Sequence, residues 1–262
     1  IGNILKNSRE FKVETVNGLA KVLVGEIEGA PNLPVVVVPR HANPSYPFVG
    51  HQRLPHQLNE SASSVVVGAL NPVAVVTLHT VGAANVHSSF KPGRFALVGD
   101  FLPNGSLKTI FSERAVNGII KLGYSLPHVA HYAVPPSKLR DSKLAEIVAS
   151  AAKQAGLPLA KDLVLHTTHG PTYETSIQVR DLVSRGVTGF SITHQDDAAT
   201  IQEALGITGS NARVVSLATI SNFAQGIGKP PTHEEVEAEV AKTAPKRAEF
   251  LKILAKKISS LH

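Results

Sequence analysis

The 262-residue sequence has no cysteine and no methionine, and only 5% of it is aromatic. Without cysteine there is no disulfide framework, no thiolate nucleophile and no cysteine metal site. With so few rings, Val, Ile, Leu and Ala must fill any core. No apolar run approaches the length of a membrane-spanning helix, so membrane insertion is not expected. Several mechanistic signatures are also missing: G-x-G-x-x-G after a strand, a Walker A loop, a G-x-S-x-G elbow and an H-E-x-x-H helix. Twelve histidines invite a metal reading, and His166/His169 and His128/His131 are closely spaced. No carboxylate-bearing ligand signature accompanies them, so no metal is expected. The sequence begins at Ile1, and the product of a start codon is expected to be trimmed or incompletely represented. A removed signal peptide would leave no trace, and the compartment, cytoplasmic or mitochondrial, stays open.

What is present describes a packed chain. Hydrophobic residues make up 43% and charged residues 18%, a balance that suits a globular core. The length, with no visible linker, favours one domain over residues 1–262. Lys and Arg number 26 against 20 Asp and Glu, a net charge of +6. A basic balance favours anionic partners such as phosphate-bearing substrates, although a solvated basic surface is its ordinary account. Lys252 to Lys257 alternate with Leu251, Ile253, Leu254 and Ile258, as on an amphipathic helix. Nucleic acid is not an expected partner, since neither aromatic platforms nor a reader helix is visible.

Along the chain, strand and helix patterns alternate. Phe11–Val16 and Ala20–Ile27 flank Asn17-Gly18, a hairpin signal. Val35–Val38 and Val73–Leu78 read as strands buried on both faces, as in parallel sheets. Ala42–Pro55 reads as a long Pro-, Gly- and His-rich loop. Helices are expected at Leu58–Leu70, Ser142–Ala155 (ended by Gly156), Ser176–Ser184 and Ala198–Leu205. Further strands are expected at Phe95–Val98, Leu163–Thr167, Gly189–Thr193 and Val214–Ala218. A helical tail opens at Thr232 with a capping box to Glu235 and is expected to break at Pro245. The alternation predicts a largely parallel, helix-flanked sheet.

In such a sheet the carboxyl ends of the strands collect at one edge, where ligands bind. Polar residues gather there: Arg40-His41, Thr80 to Ala83, Gly170–Thr175, Ile192-Thr193-His194 and Ser221-Asn222. Arg and His offer charge-assisted donors to an oxyanion. Glu and Asn complement the ring N–H and carbonyl of a purine, and Tyr173 offers a face for sugar or base. The assortment suits a nucleoside together with phosphate.

Gly170-Pro171-Thr172-Tyr173-Glu174-Thr175, followed by Gln178-Val179-Arg180, resembles the Gly-Pro-x-Tyr/Phe-Glu-Thr-x-x-Glu-x-Arg signature of trimeric purine nucleoside and methylthioadenosine phosphorylases. The likeness runs from about Glu10 to Val236. Arg40-His41 resembles the family's phosphate pair. Leu54 to Asn59 is similar to its Pro-containing turn, Val76 to Ala84 and Lys91-Pro92-Gly93 to its Gly loop and Pro-Gly run, and Thr232 to Val236 to the start of its last helix. The resemblance implies an α/β, three-layer sandwich around a mixed, largely parallel sheet. It implies phosphorolysis of purine nucleosides to free base and ribose 1-phosphate, with inorganic phosphate as co-substrate and no cofactor. It also implies that Arg40, His41, Thr80 and Thr193 hold phosphate and that Glu174 and Asn222 bind the base, Asn222 aiding the leaving group. Tyr173 and Ile192 would lie against base and sugar. Asn at 222 resembles the 6-oxopurine branch, where the adenine-preferring branch has Asp.

There are departures. The family opens with a strand and a Gly-Gly-(Ser/Thr)-Gly loop that Ile1–Ser8 do not contain, so both are expected to be missing from this sequence. Gln178 stands for Glu, His79 for Asn or Thr, Arg94 for Asp, Ile192 for Met, and Asp196-Asp197 for Pro-Glu. Two functions therefore stay open: an active phosphorylase assembled as a homotrimer, or a catalytically degenerate relative serving as a structural or assembly subunit of a hetero-complex.

Overall fold

The computed structural model describes residues 4–39, 61–84, 89–105, 109–110, 117, 136–168, 172–192, 194–228 and 232–260. Strands β1 (Leu5–Thr15) and β2 (Gly18–Ile27) form the expected hairpin. Gly18 takes φ +123, open to a residue without Cβ. The Thr15 hydroxyl donates to the Gly18 carbonyl at 2.6 Å and accepts from the Asn17 amide at 3.2 Å. β3 (Ala30–Val37) completes a three-stranded antiparallel sheet. The valines at 35–38 thus belong to an antiparallel edge, not to a parallel strand. Their apolar run has a different cause, because helices cover both faces of this sheet. Val36 and Val38 pack with Ala62 and Val66 of α1 (Ser61–Leu70), while Val35 and Val37 pack with Ala255 of the last helix.

The second sheet contains β4 (Ala74–Ala83), β5 (Phe95–Leu102), β6 (Leu159–Thr167), β7 (Gly189–Ser191) and β8 (Arg213–Phe223). Its order is β4-β7-β6-β5-β8, closed into a barrel. The β4–β8, β5–β6 and β6–β7 ladders are parallel; β4–β7 and β5–β8 are antiparallel. The fold is mixed α/β, as expected. In place of the flat middle layer of a sandwich, the five strands form a mixed sheet that curls until no edge remains. Irregular register in β5 around Val98 and Asp100 permits the curl, and Gly99 brings β5 against the Asp162 backbone, where a Cβ would lie 3.1 Å from Asp162 Cα.

Helices clothe the barrel: α2 (Pro136–Leu139), α3 (Ser142–Gln154), α4 (Ser176–Ser184), α5 (His194–Ile207) and α6 (His233–Ser259). Asp141 caps α3 by accepting from the Leu144 amide at 2.8 Å, and Gly156, at φ +65, ends it. Leu144 and Val148 of α3 and Phe250 and Leu254 of α6 pack on Phe95, Leu97, Val215 and Leu217 outside the barrel. Each such burial contributes roughly 1.5–3 kcal/mol. Val81, Val98, Leu163, Leu165, Ala218 and Ile220 form a second cluster on the opposite faces of the strands.

Two helices depart from expectation. α5 starts at His194, one turn before Ala198, which places Asp197 in its first turn. It runs parallel to α1 at close range: the Ser64 and Thr200 hydroxyls meet at 2.7 Å, and a Cβ on Gly68 would lie 2.8 Å from the Ala204 carbonyl. The buried Glu203 carboxylate accepts from the Thr109 hydroxyl at 2.6 and 2.7 Å and from the Ile110 amide at 2.6 Å. The Ile110 carbonyl in turn accepts from the hairpin's Asn17 Nδ2 at 2.7 Å. The tail, expected to break at Pro245, is one 27-residue helix. Proline removes an amide there. The carbonyl that loses its donor is that of Ala241; beside it the Val240 carbonyl accepts from the Thr243 hydroxyl at 3.0 Å and from Arg247 Nη2 at 2.6 Å, a bond that spans the proline. Buried Phe250, Leu254 and Ile258 hold the half beyond it. Among the described residues, no helix is long and apolar enough to cross a membrane.

Candidate active site

Asn222 sits near the end of β8, opposite Gly82 of β4. The ladder slips between Val81 and Gly82, so that Ser221 is an extra residue on β8. Such a bulge re-aims the side chain beside it. The Asn222 carboxamide lies flat against Gly82, where a Cβ would stand 3.0 Å from Nδ2. Its Oδ1 accepts from the Ser221 hydroxyl at 2.7 Å, and its Nδ2 donates to the Phe223 carbonyl at 2.8 Å. A cleft of about 340 Å³ opens beside it, between β8 and the first turns of α6, with Pro92, Glu235, Glu239 and Lys242 on its walls. The alternation of β4 puts Thr80 on the same side of the strand as Gly82, and its side chain is exposed.

Glu174 lies just before α4. Thr175 caps that helix, with its hydroxyl accepting from the Gln178 amide at 3.3 Å and Gln178 Oε1 accepting from the Thr175 amide at 2.8 Å. Gln178 thus satisfies a capping box as a Glu would. Glu174 itself is buried, 5% exposed. One oxygen, Oε1, accepts from the Thr168 hydroxyl at 2.7 Å, the only side-chain hydrogen bond to this carboxylate among the described residues. Burial therefore pushes its pKa above the ordinary glutamate value, with the Thr168 hydrogen bond opposing the shift. Tyr173 is 42% exposed; burial of its hydroxyl and the neighbouring Glu174 charge raise its pKa. The turn after β8 meets this segment directly, because a Cβ on Gly226 would lie 2.7 Å from Ser176 Cβ. Asn222 and Glu174 thus lie on segments that meet at this turn. β4 and β8 run against β5, β6 and β7, so the carboxyl ends of the strands do not all gather at one edge, against expectation.

Ile192 is half-buried and follows β7, which pairs with both β4 and β6. Arg40, His41 and Thr193 lie outside the described residues, as does the segment 42–55. His79 and Asp197 are not pocket residues. Both are buried, His79 Nδ1 stands 3.9 Å from Asp197 Oδ2, and His79 Nε2 is 3.0 Å from the Thr77 hydroxyl. His166 is likewise a core residue, with Nδ1 3.0 Å from the Leu102 carbonyl and its ring against Phe190. Sequence reasoning missed Gly82 as the platform for Asn222, Thr168 as the partner of Glu174, and the His79–Asp197 contact. Only the first left a trace, a glycine inside an apolar strand pattern.

No family model matches the chain. A protein of Moorella thermoacetica named probable 6-oxopurine nucleoside phosphorylase is 26% identical over 235 residues, covering 89% of this chain and 79% of its own. The 6-oxopurine nucleoside phosphorylase of Pyrococcus furiosus is 25% identical over 232 residues, 88% of this chain and 79% of its own. Over most of its length the chain is thus similar to purine nucleoside phosphorylases. Its fold agrees: a crystal structure of methylthioadenosine phosphorylase from Schistosoma mansoni with tubercidin superposes with a TM-score of 0.79 at 18% identity, covering 98% of this chain and 88% of the other. The segment from Tyr173 to Gln178, which carries the resemblance, has a local structure that follows directly from its sequence. Each of its capping bonds lies within four residues.

Proposed function

We propose that the protein cleaves purine nucleosides, 6-oxopurines preferred, with inorganic phosphate to give free base and ribose 1-phosphate, without a cofactor. The observation that carries this reading is Glu174: a buried carboxylate whose side-chain hydrogen bond, among the described residues, comes from Thr168 alone, on a segment that meets the turn following Asn222. An acceptor kept dry at a cost to stability suits a ring N–H arriving with a ligand. The named activities of the relatives support the same reading.

In this reading Glu174 accepts from the base, and Asn222 stabilises the charge that develops on the departing purine at N7. A positioned donor of that kind contributes about 10²–10³ in rate. To reach the base, Asn222 Nδ2 gives up its bond to the Phe223 carbonyl, and Gly82 leaves it room. Tyr173 and Ile192 lie against base and sugar. Arg40, His41, Thr80 and Thr193 hold phosphate, and residues 1–262 act as one phosphorylase-like domain in a homotrimer. The degenerate reading is not favoured. Its main support was altered residues, yet Gln178 still caps α4 and His79 and Asp197 face each other.

The test is incubation of the full chain with inosine, guanosine and methylthioadenosine plus phosphate. Free hypoxanthine and guanine are the expected products, and phosphate should raise the melting temperature by mass action. No base release and no stabilisation by phosphate would overturn the proposal.

A further inference from the structure

We infer that His79 and Asp197 form a buried positioning pair for the phosphate side of the site, acting through the adjacent Thr80. This rests on the phosphorolytic reading for the role of Thr80. Both partners are almost fully buried, at 3% and 2% exposure, and come from different elements, β4 and the first turn of α5. The Thr77 hydroxyl donates to Ser216 Oγ at 3.0 Å, so it accepts from His79 Nε2. With Nε2 engaged at Thr77, the ring turns Nδ1 towards the Asp197 carboxylate, 3.9 Å away. His194, the first residue of α5, packs edge-on against His79 with ring centroids 4.7 Å apart, and Phe101 of β5 packs on His194 at 5.8 Å. The His194 amide is held by Ser191 Oγ of β7 at 3.3 Å.

One file of side chains, Ser216–Thr77–His79–Asp197, therefore crosses from β8 through β4 to α5; ring contacts through His194 extend it to β5, and the His194 amide bond extends it to β7. Its titratable members are His79, His194 and Asp197. His79 is covalently next to Thr80, and only Val81 and the bulge separate Thr80 from the Gly82–Asn222 contact. A shift of β4 against α5 is thus a shift of Thr80 against the rest of the barrel end. His79 and Asp197 do not touch substrate; they are positioning residues.

The test compares wild type with His79→Gln, Asp197→Asn and the double variant, measuring KM for phosphate and for inosine separately, and inorganic phosphate binding by thermal shift. Each single change is expected to raise the phosphate KM about tenfold while the inosine KM moves less than about twofold. The double variant is expected to be no worse than the worse single one, since residues acting as a unit are non-additive. Additive losses, or equal rises in both KM values, would overturn the pair. Should a variant fail to fold, Thr77→Val, which removes only the Nε2 acceptor, is expected to shift phosphate affinity the same way; no shift overturns the inference. Phosphate binding without purine release in wild type would sink the phosphorolytic reading while leaving the pair to be judged by binding. No phosphate binding in wild type would sink the inference.

Discussion

Two helices follow the neighbouring parallel strands β6 and β7, and they are held in opposite ways. α5, after β7, is interior. It presses Ala204 on Gly68, shares a hydroxyl contact with α1, clasps residues 109–110 through Glu203 and faces His79 with Asp197. α4, after β6, is a surface helix with only Val179 and Leu182 buried and Ile177 72% exposed. Its start is fixed by a capping box and by the close approach of Gly226. The carboxylates differ in the same way. Asp197 faces an imidazole, whereas Glu174 at the foot of α4 has a hydroxyl and a raised pKa. The α5 side is fixed by buried contacts, and the α4 side leaves a buried carboxylate with a single side-chain hydrogen bond among the described residues.

The largest expected effect tests the rigid side. Gly68→Val pushes a branched side chain into the Ala204 backbone, which a parallel pair of helices cannot vacate without separating. Overpacking of this kind costs about 3 kcal/mol, and the melting temperature should fall by about 6–12 °C for a chain of this size. Ile177→Ala on α4 should stay within about 0.5 kcal/mol of wild type. Equal losses in thermal unfolding would break the comparison.

Next in size is Glu174→Gln. Loss of the acceptor should lower kcat/KM for inosine about 100-fold, or about 2.7 kcal/mol of transition-state binding. Stability should move the other way. A carboxyl whose folded pKa is raised binds more protons folded than unfolded between the two values. Its contribution is therefore fully present below the ordinary glutamate value and lost as pH rises through the folded one. Gln carries no such loss, so the variant should gain on wild type as pH climbs through that window. Denaturant titrations at several pH values check this, and a stability difference independent of pH would remove the buried-carboxylate account. A smaller effect belongs to Thr175→Ala, which deletes the cap of α4 and should cost about 1 kcal/mol, read as a melting temperature lower by about 2–4 °C.

What the sequence made legible was local. Thr175 and Thr232 open helices because each cap and its partner are three residues apart, and Asn17-Gly18 turns a hairpin because Gly18 must reach positive φ. Asn222 and Glu174 were singled out by motif, and the turn after β8 meets the helix start that follows Glu174. Barrel closure was not legible, because it depends on short antiparallel ladders between strands far apart in sequence, β5 with β8 and β4 with β7. The valines of β3 misled because helices on both faces make an antiparallel strand as apolar as a parallel one. Pro245 misled because Arg247 reaches back across it to the Val240 carbonyl and core packing holds the half beyond it. His79 and Asp197 each read as a departure, and only the fold makes them neighbours.

The smallest expected effect is Gln178→Glu, which restores the residue the resembled signature carries. Glu reproduces the acceptor for the Thr175 amide and adds a charge to the first turn of α4, worth about 0.3–1 kcal/mol against the helix dipole. It also sets a second carboxylate one turn from Glu174, whose charged form is already disfavoured. The two contributions oppose each other, so stability should change by no more than about 0.5 kcal/mol. Because like charges raise one another's pKa, the Glu174-dependent change in stability should move to higher pH. If activity on inosine stays within about twofold, Gln178 is a helix cap and its departure is silent. If activity rises tenfold, α4 was the weakened side of the site, and the contrast with α5 reflects lost function rather than an adaptable helix start.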